Sequence, residues 1–222
     1  MTESHDVTPV PPGLTHERVS MFSDAVFAIA MTLLVIELPR PENGAVPDDP
    51  DRLAMARELW HFLAQNNGTF LAFIIAFLML WATWRQHHRL FDQITRMTSP
   101  MVSIHIPLLV LVVLLPYPTA LIGESMLNPL TVTLFAGTEA GLLFCSAALN
   151  IAVVRGGVAK PGADLLALRV TAAMLIAVGA FWTLTAALTW VMDNVAYLWL
   201  LTPFIVTGAT RTARRILAKP AA

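Results

Sequence analysis

The chain has 222 residues, of which 56% are hydrophobic and only 13% are charged, and its mean hydropathy is +0.66. An ordinary soluble domain carries about 25% charged residues, so this composition predicts an integral membrane protein whose soluble parts are too short for a catalytic domain. The net charge of −1 and the lack of a basic patch with interleaved aromatics argue against a nucleic-acid partner. The single cysteine, Cys145, excludes a disulfide within the chain, and we expect it to pack as a small hydrophobic residue.

Residues 1–16 are polar and rich in proline, and no basic region precedes an apolar stretch there. We therefore expect a disordered arm rather than a cleaved signal peptide. The predicted transmembrane domain covers residues 17–217, and residues 218–222 form a short tail. Six apolar segments, each close to the roughly 20 residues that a spanning helix needs, predict an all-α membrane protein with six transmembrane helices. These segments are 18–38, 63–88, 100–122, 129–153, 165–191 and 195–213.

The break after the first segment is acidic and contains four prolines, so it is predicted to be a loop. Residues 52–62 that follow are predicted to form a short amphipathic helix on the membrane surface. With six spans and both termini in the cytoplasm, 11 of the 14 Lys and Arg residues lie inside, as positive-inside topology requires. A count of five or seven spans would put the basic cluster 211–219 outside, so we reject it. The predicted location is the cell membrane.

Asp24 is the unusual residue of the first segment, because it lies seven residues into an apolar stretch. An ionisable group at that depth is costly and needs a partner. Arg18 is about 120° away around the helix and does not face it. Trp84 and His87, at spacing i, i+3 near the end of the second segment, share a face and are the best candidates. They form either an Asp–His contact or an ordinary aromatic and basic belt at the membrane border, and the residues alone do not decide between them.

A second face of the first segment is an apolar stripe. With Ile29 as reference, Leu33 lies at about 40°, Ile36 at about −20° and Thr32 at about −60°. For most membrane helices such a stripe is a packing face. The alternative is a pore wall, in which rings of Ile and Leu close by dewetting and a Thr hydroxyl contacts the ion. One helix cannot enclose a pore, so this alternative requires a symmetric homo-oligomer.

Other polar residues inside the segments are fewer. His105 and Pro107 lie in the third segment, where Pro107 is expected to kink the helix. Glu139 and Ser146 share a face of the fourth segment, with Asn150 one turn further on. They form either a proton relay or, as we favour, interhelical hydrogen bonds. The chain lacks a carbonyl selectivity-filter motif, a Walker motif, HExxH and GxSxG, so we expect neither an enzyme nor a cofactor or metal site.

Three stretches in order resemble one known family. Arg18, Phe22, Ser23 and Asp24 form an Arg-x-x-x-Phe-Ser-Asp motif followed by AVFAIAMTLLVIEL; the others are WRQHHRLFD after helix 2 and LLPYPTALIGE after helix 3. This pattern is similar to the bacterial relatives of the endosomal and lysosomal potassium channel, the transmembrane protein 175 family. The resemblance covers about the first 125 residues. Beyond them, only the number and hydropathy of the segments agree.

The resemblance implies a homotetramer of six-helix subunits in the lipid membrane, each giving helix 1 to a central pore that is selective for potassium without a carbonyl filter. It implies that Ile29 forms the main constriction and that Leu33 and Ile36 form apolar positions beyond it. Thr32 takes the position tied to selectivity. It further implies that Arg18, Phe22, Ser23 and Asp24 organise helix 1, with Trp84 and His87 as their packing partners.

Two alternatives to a channel stay open. One is a secondary transporter coupled to protons through Asp24, His87 or Glu139, although such proteins usually show internal repeats and broken helices that this sequence lacks. The other is a membrane scaffold that does not conduct.

Overall fold

The computed structural model describes residues 15–41 and 51–218, so most of the predicted arm (1–14), part of the first loop (42–50) and the tail after residue 218 lie outside it. The described residues form eight α-helices and one 3-10 helix. The α-helices are α1 (His16–Ile36), α2 (Arg52–Gln65), α3 (Asn67–Phe91), α4 (Ser99–Leu114), α5 (Pro116–Glu124), α6 (Pro129–Gly156), α7 (Leu165–Leu188) and α8 (Thr202–Leu217). The 3-10 helix, Val195–Leu201, precedes α8 directly.

The helices begin and end at residues whose chemistry satisfies free backbone groups. Thr15 caps the start of α1, and the side chains of Asn128 and Asp164 accept backbone N–H groups at the starts of α6 and α7. Gly157, with φ of 58°, ends α6 in the left-handed conformation that glycine adopts without strain. Helix α1 therefore starts at His16, inside the arm predicted for residues 1–16.

The third predicted segment consists of two helices, α4 and α5, that together make one candidate span of 26 residues. Leu115 separates α4 from α5, and it is followed by Pro116 and Pro118. Each proline removes a backbone donor and crowds the preceding turn, which explains the break. Pro107, by contrast, lies inside α4 without ending it.

Five helical segments of the described chain are long and apolar enough to cross a membrane: α1, α3, α4 with α5, α6 and α7. The sixth predicted segment, 195–213, is divided between the 3-10 helix and α8, and α8 carries Arg211, Arg214 and Arg215 on its exposed surface. The count of six spans is therefore not confirmed. The predicted helix at 52–62 is found as α2, which has no buried residue. Its position on the membrane surface stays a prediction.

The core lies where α1 packs against α3, α4 and α5, and where α6 packs against α4 and α7. Its largest fully buried side chains include Phe27, Leu80, Leu108, Phe135 and Trp182. Helices α3 and α5 approach closely at Gly123, since a Cβ there would lie 2.8 Å from the Cα of Thr69. Cys145 is a free, half-buried thiol packed against this core, as predicted.

Two interhelical loops are joined to each other. Ile94 of the α3–α4 loop and Ala159 of the α6–α7 loop form an isolated antiparallel bridge, and the Lys160 N–H donates to the Gln93 carbonyl at 2.7 Å. The ends of α3 and α6 and the starts of α4 and α7 therefore lie on one face of the bundle, which we call the loop face. Its basic residues are Arg89, Arg96, Arg155, Lys160 and Arg169.

Candidate pore-lining site

One face of α1 holds this helix to the bundle. Ser23, Phe27, Ala30 and Leu34 are all buried, with exposed fractions of at most 1%. Their spacing of three and four residues places them on one side of the helix, centred about 130° from Ile29. This face is occupied by the subunit's own α3, α4 and α5.

The opposite face of α1 is the predicted stripe, and it is uncovered. Ile29 and Ile36 are each 59% exposed, Leu33 is 36% exposed, and Thr32 is exposed as well. Among the described residues, no other helix covers these large aliphatic side chains. Within the described residues the stripe is not a packing face of its own subunit, and it faces lipid, a pore or another subunit. The alternatives of a packing face and a pore wall both stay open.

Thr32 is the hydroxyl of this stripe. Its Oγ1 donates to the carbonyl of Ile29 at 2.7 Å. A hydroxyl has one proton and two lone pairs, so this bond leaves the oxygen with only acceptor capacity towards the uncovered side. An acceptor oxygen is the group that a partly dehydrated cation requires.

Asp24 lies on neither of these faces. Its Oδ1 accepts a hydrogen bond from the indole Nε1 of Trp84 at 2.8 Å, and its Oδ2 lies 3.8 Å from Nδ1 of His88. Of the two candidate partners, Trp84 contacts this carboxylate, whereas the histidine beside it is His88 rather than His87. Within the described residues Asp24 forms no ion pair with Arg18. The carboxylate ties α1 to α3 and points about 140° away from Ile29.

His87 lies instead in an aromatic cluster behind α1. Its ring is 4.4 Å from that of Phe91, 5.0 Å from that of His105 and 5.6 Å from that of Phe27 (centroid distances). It is 4% exposed, and neither ring nitrogen has a hydrogen-bond partner among the described residues. His87 is thus a packing partner of α1 through Phe27.

Ser23 links this cluster to α1. Its Oγ donates to the Val19 carbonyl at 2.7 Å and lies 2.6 Å from Nε2 of His105. Because the single hydroxyl proton is used by the carbonyl, Nε2 of His105 is the donor in the second bond. The sequence shows a serine and a histidine in separate helices, but nothing in a spacing of 82 residues indicates that they meet. Only the packing of α1 on α4 places them together.

Among the described residues, Glu139, Ser146 and Asn150 form no hydrogen bond to another helix, contrary to the role that we favoured. The Asn150 amide donates to the Ser146 carbonyl within α6 at 2.8 Å. Glu139 Oε1 and Ser146 Oγ are buried without a hydrogen-bond partner among the described residues. The Thr133 hydroxyl donates to the Pro129 carbonyl within α6 at 2.7 Å, and it lies 3.3 Å from the Ala186 carbonyl of α7.

Comparison with known proteins shows what this chain is similar to. Residues 18–116 match the family model described as endosomal/lysosomal potassium channel TMEM175. The chain is 32% identical over 109 residues to a potassium channel of Streptomyces collinus, a match that covers 49% of this chain and 48% of the relative. The resemblance to the TMEM175 family is confirmed. All residues of the Arg-x-x-x-Phe-Ser-Asp motif and the whole stripe lie inside the matched range.

Two further comparisons extend this result. An 89-residue stretch is 37% identical to the endosomal/lysosomal proton channel TMEM175 of Bos taurus and covers 40% of this chain and 18% of that protein. The crystal structure of a lysosomal potassium-selective channel TMEM175 homolog from Chamaesiphon minutus superposes with a TM-score of 0.60 at 25% identity, covering 87% of this chain and 97% of that one. The chain therefore has the all-α membrane fold of a TMEM175 channel structure. It spans about half the length of the Streptomyces relative.

Proposed function

We propose that the chain is a potassium-selective channel whose pore is lined by α1 from four identical subunits. The observation that carries this proposal is the uncovered stripe of Ile29, Thr32, Leu33 and Ile36, which lies opposite the face that α1 buries in its own subunit. A single stripe cannot enclose a path for ions, so the proposal requires symmetric copies. The tetramer is the assembly that the family resemblance implies.

The constriction in this proposal is a ring of Ile29 side chains, with Leu33 and Ile36 forming further apolar rings along about 10 Å of the helix axis. Such rings close a path by expelling water. Sodium and potassium carry the same charge, but the smaller sodium ion holds its water more tightly. An apolar ring without replacement ligands therefore penalises sodium more than potassium.

Thr32 supplies the polar contribution. Its hydroxyl already donates to Ile29 of its own helix at 2.7 Å, so four Thr32 oxygens would present lone pairs to the path less than one turn from the Ile29 ring. These oxygens offset part of the dehydration cost of an ion that has lost only some of its water. We expect a modest preference for potassium, weaker than a full carbonyl filter provides.

The orientation that we propose has both termini in the cytoplasm and the loop face on the cytoplasmic side of the cell membrane. The joined α3–α4 and α6–α7 loops support it, because they place five basic residues on one face of the bundle. This orientation requires the 3-10 helix and α8 to cross the membrane as the sixth span. Together they cover residues 195–217, long enough to do so.

Single-channel recording of the purified protein in planar bilayers tests the function. Unitary current steps carried by potassium support a channel. Slow coupled flux without steps would instead indicate the secondary transporter, and silence of a correctly assembled protein would indicate a non-conducting scaffold. We assign the chain no catalytic reaction.

The name of the bovine relative adds one further candidate, proton conduction. The same bilayers distinguish it when a pH gradient is imposed across symmetrical potassium solutions. A reversal potential that follows the proton gradient supports proton permeation, whereas one that stays at zero supports potassium as the permeant ion.

A further inference from the structure

The loop face has a groove between α6 and α7, away from the proposed pore-lining stripe on α1. Arg155 and Arg169 line it together with Ile151 and Val154, and its volume is about 250 Å³. Arg155 is the second-last residue of α6, and Arg169 is the fifth residue of α7. Two guanidinium groups from neighbouring spans therefore border one small space that has aliphatic walls.

The charges of these two arginines are not paired in the part of the chain that the structure describes. Within residues 15–41 and 51–218 neither forms an ion pair with an acidic side chain. Asp164, the acidic residue nearest to Arg169 in sequence, accepts the backbone N–H of Ala167 with its Oδ1 at 2.9 Å as the cap of α7. Both arginines are exposed, so their charges are available to an external anion.

The depth of Arg169 indicates where that anion comes from. Helix α7 has 24 residues and is about 36 Å long, against a hydrocarbon core of about 30 Å. If α7 is centred in the membrane, it extends about 3 Å beyond the hydrocarbon core at each end. The Cα of Arg169 lies about 6 Å along the axis from the first residue of α7. The residue thus starts just inside the hydrocarbon, and its side chain must reach outward to the level of the lipid phosphates.

We propose that this groove binds the phosphate headgroup of an anionic phospholipid. The two guanidinium groups pair with the phosphodiester, and the start of an acyl chain lies against Ile151 and Val154. Planar guanidinium groups match phosphate oxygens in geometry as well as in charge. The groove has basic residues near the membrane interface and aliphatic residues closer to the hydrocarbon. This order matches that of a phospholipid, whose charged headgroup is followed by apolar acyl chains. The proposal depends on the membrane-spanning fold and not on the pore.

Native mass spectrometry of the full chain in detergent, titrated with dioleoylphosphatidylglycerol or dioleoylphosphatidylcholine, tests the proposal. We expect one tightly retained phosphatidylglycerol per chain and much weaker retention of phosphatidylcholine. Arg155→Gln or Arg169→Gln should each weaken phosphatidylglycerol binding about fivefold, and the double variant about 25-fold. Arg155→Lys keeps the charge and should retain most of the affinity.

Arg96→Gln is the matched control, because it removes the same charge from the same face outside the groove. Equal weakening by Arg96→Gln would show diffuse attraction to the whole face and would overturn the site. Equal retention of the two lipids would overturn its preference for anionic headgroups. Displacement of phosphatidylglycerol by millimolar inorganic phosphate would identify a water-soluble anion as the ligand and overturn the lipid.

Discussion

Ser23 offers a sharp test of how α1 is held to its bundle. Its side chain is fully buried, its Oγ donates to the Val19 carbonyl, and it accepts the Nε2 proton of His105 at 2.6 Å. Ser23→Ala removes the hydroxyl and leaves that proton without a partner in a ring that is only 4% exposed. An unsatisfied buried donor costs about 1–3 kcal/mol, whereas hydrogen bonds between membrane helices contribute about 0.6 and at most about 1.7 kcal/mol.

Taking both ranges together, we expect Ser23→Ala to destabilise the protein by about 1–2 kcal/mol. For a chain of this size that corresponds to a decrease of about 2–8 °C in the melting temperature. The assay is a thermal melt of the detergent-solubilised protein, monitored by fluorescence-detected size-exclusion chromatography. Ser103→Ala is the control, since Ser103 is exposed and its hydroxyl makes the same type of bond to a carbonyl four residues earlier in its own helix, here at 3.2 Å.

A second variant separates the hydrogen bond from the loss of volume. Replacing both partners of a buried bond by apolar groups is close to neutral, so Ser23→Ala combined with His105→Leu should melt above Ser23→Ala alone. If Ser23→Ala has the same melting temperature as the wild type and Ser103→Ala, the hydrogen bond from α1 to α4 does not stabilise the protein. If the double variant is the least stable of the three, packing rather than hydrogen bonding holds α1 at this point.

Three further predictions concern α1 and its partner helix. Ile29→Asn should wet the proposed constriction and raise the unitary current or open probability about tenfold, equivalent to about 1.4 kcal/mol of barrier. Val35 is exposed but lies about 120° away from Ile29 around the helix, so Val35→Asn should leave the current unchanged. Equal currents for Ile29→Asn and wild type would exclude Ile29 from the constriction. Thr32→Val keeps the volume of the side chain but removes the hydroxyl. It should lower the potassium-to-sodium permeability ratio about two- to fivefold, as expected for the loss of one ligand that contributes roughly 0.5–1 kcal/mol. An unchanged bi-ionic reversal potential would leave the apolar ring as the sole source of selectivity. Asp24→Ala and Trp84→Phe each remove the 2.8 Å bond between α1 and α3, and both should lower the yield of the proposed tetramer on size-exclusion chromatography. An Asp24→Ala protein that assembles as the wild type does but has an altered ion preference would instead place the carboxylate in the ion path.

Much of the fold could be predicted because the membrane restricts the possible structures. Backbone groups in hydrocarbon must be satisfied within a helix, so long apolar segments specify spans almost directly. Residues 18–38, 63–88, 129–153 and 165–191 predict α1, α3, α6 and α7 with boundary errors of a few residues. The segment at 195–213 was less well determined, since α8 mixes apolar residues with Arg211 and threonines.

The candidate site divides in the same way. Helical periodicity alone placed Ile29, Thr32, Leu33 and Ile36 on one stripe, because the angle between residues of a helix is fixed. Periodicity could not say whether that stripe is covered. The burial of Phe27 and Leu34 on the other side of α1 decided it, and burial depends on helices that lie far away in sequence.

The features that could be predicted from the amino-acid sequence are therefore local: the spans, the stripe on α1, and the signature around Asp24. Which distant groups meet depends on the packing of the helices. It gave Asp24 the indole of Trp84 and placed His88 rather than His87 beside it, paired Ser23 with His105, and brought Arg155 and Arg169 to one groove. Helix geometry fixes the relative positions of residues within a few turns, whereas contacts between helices depend on the rotation and offset of each helix against its neighbours.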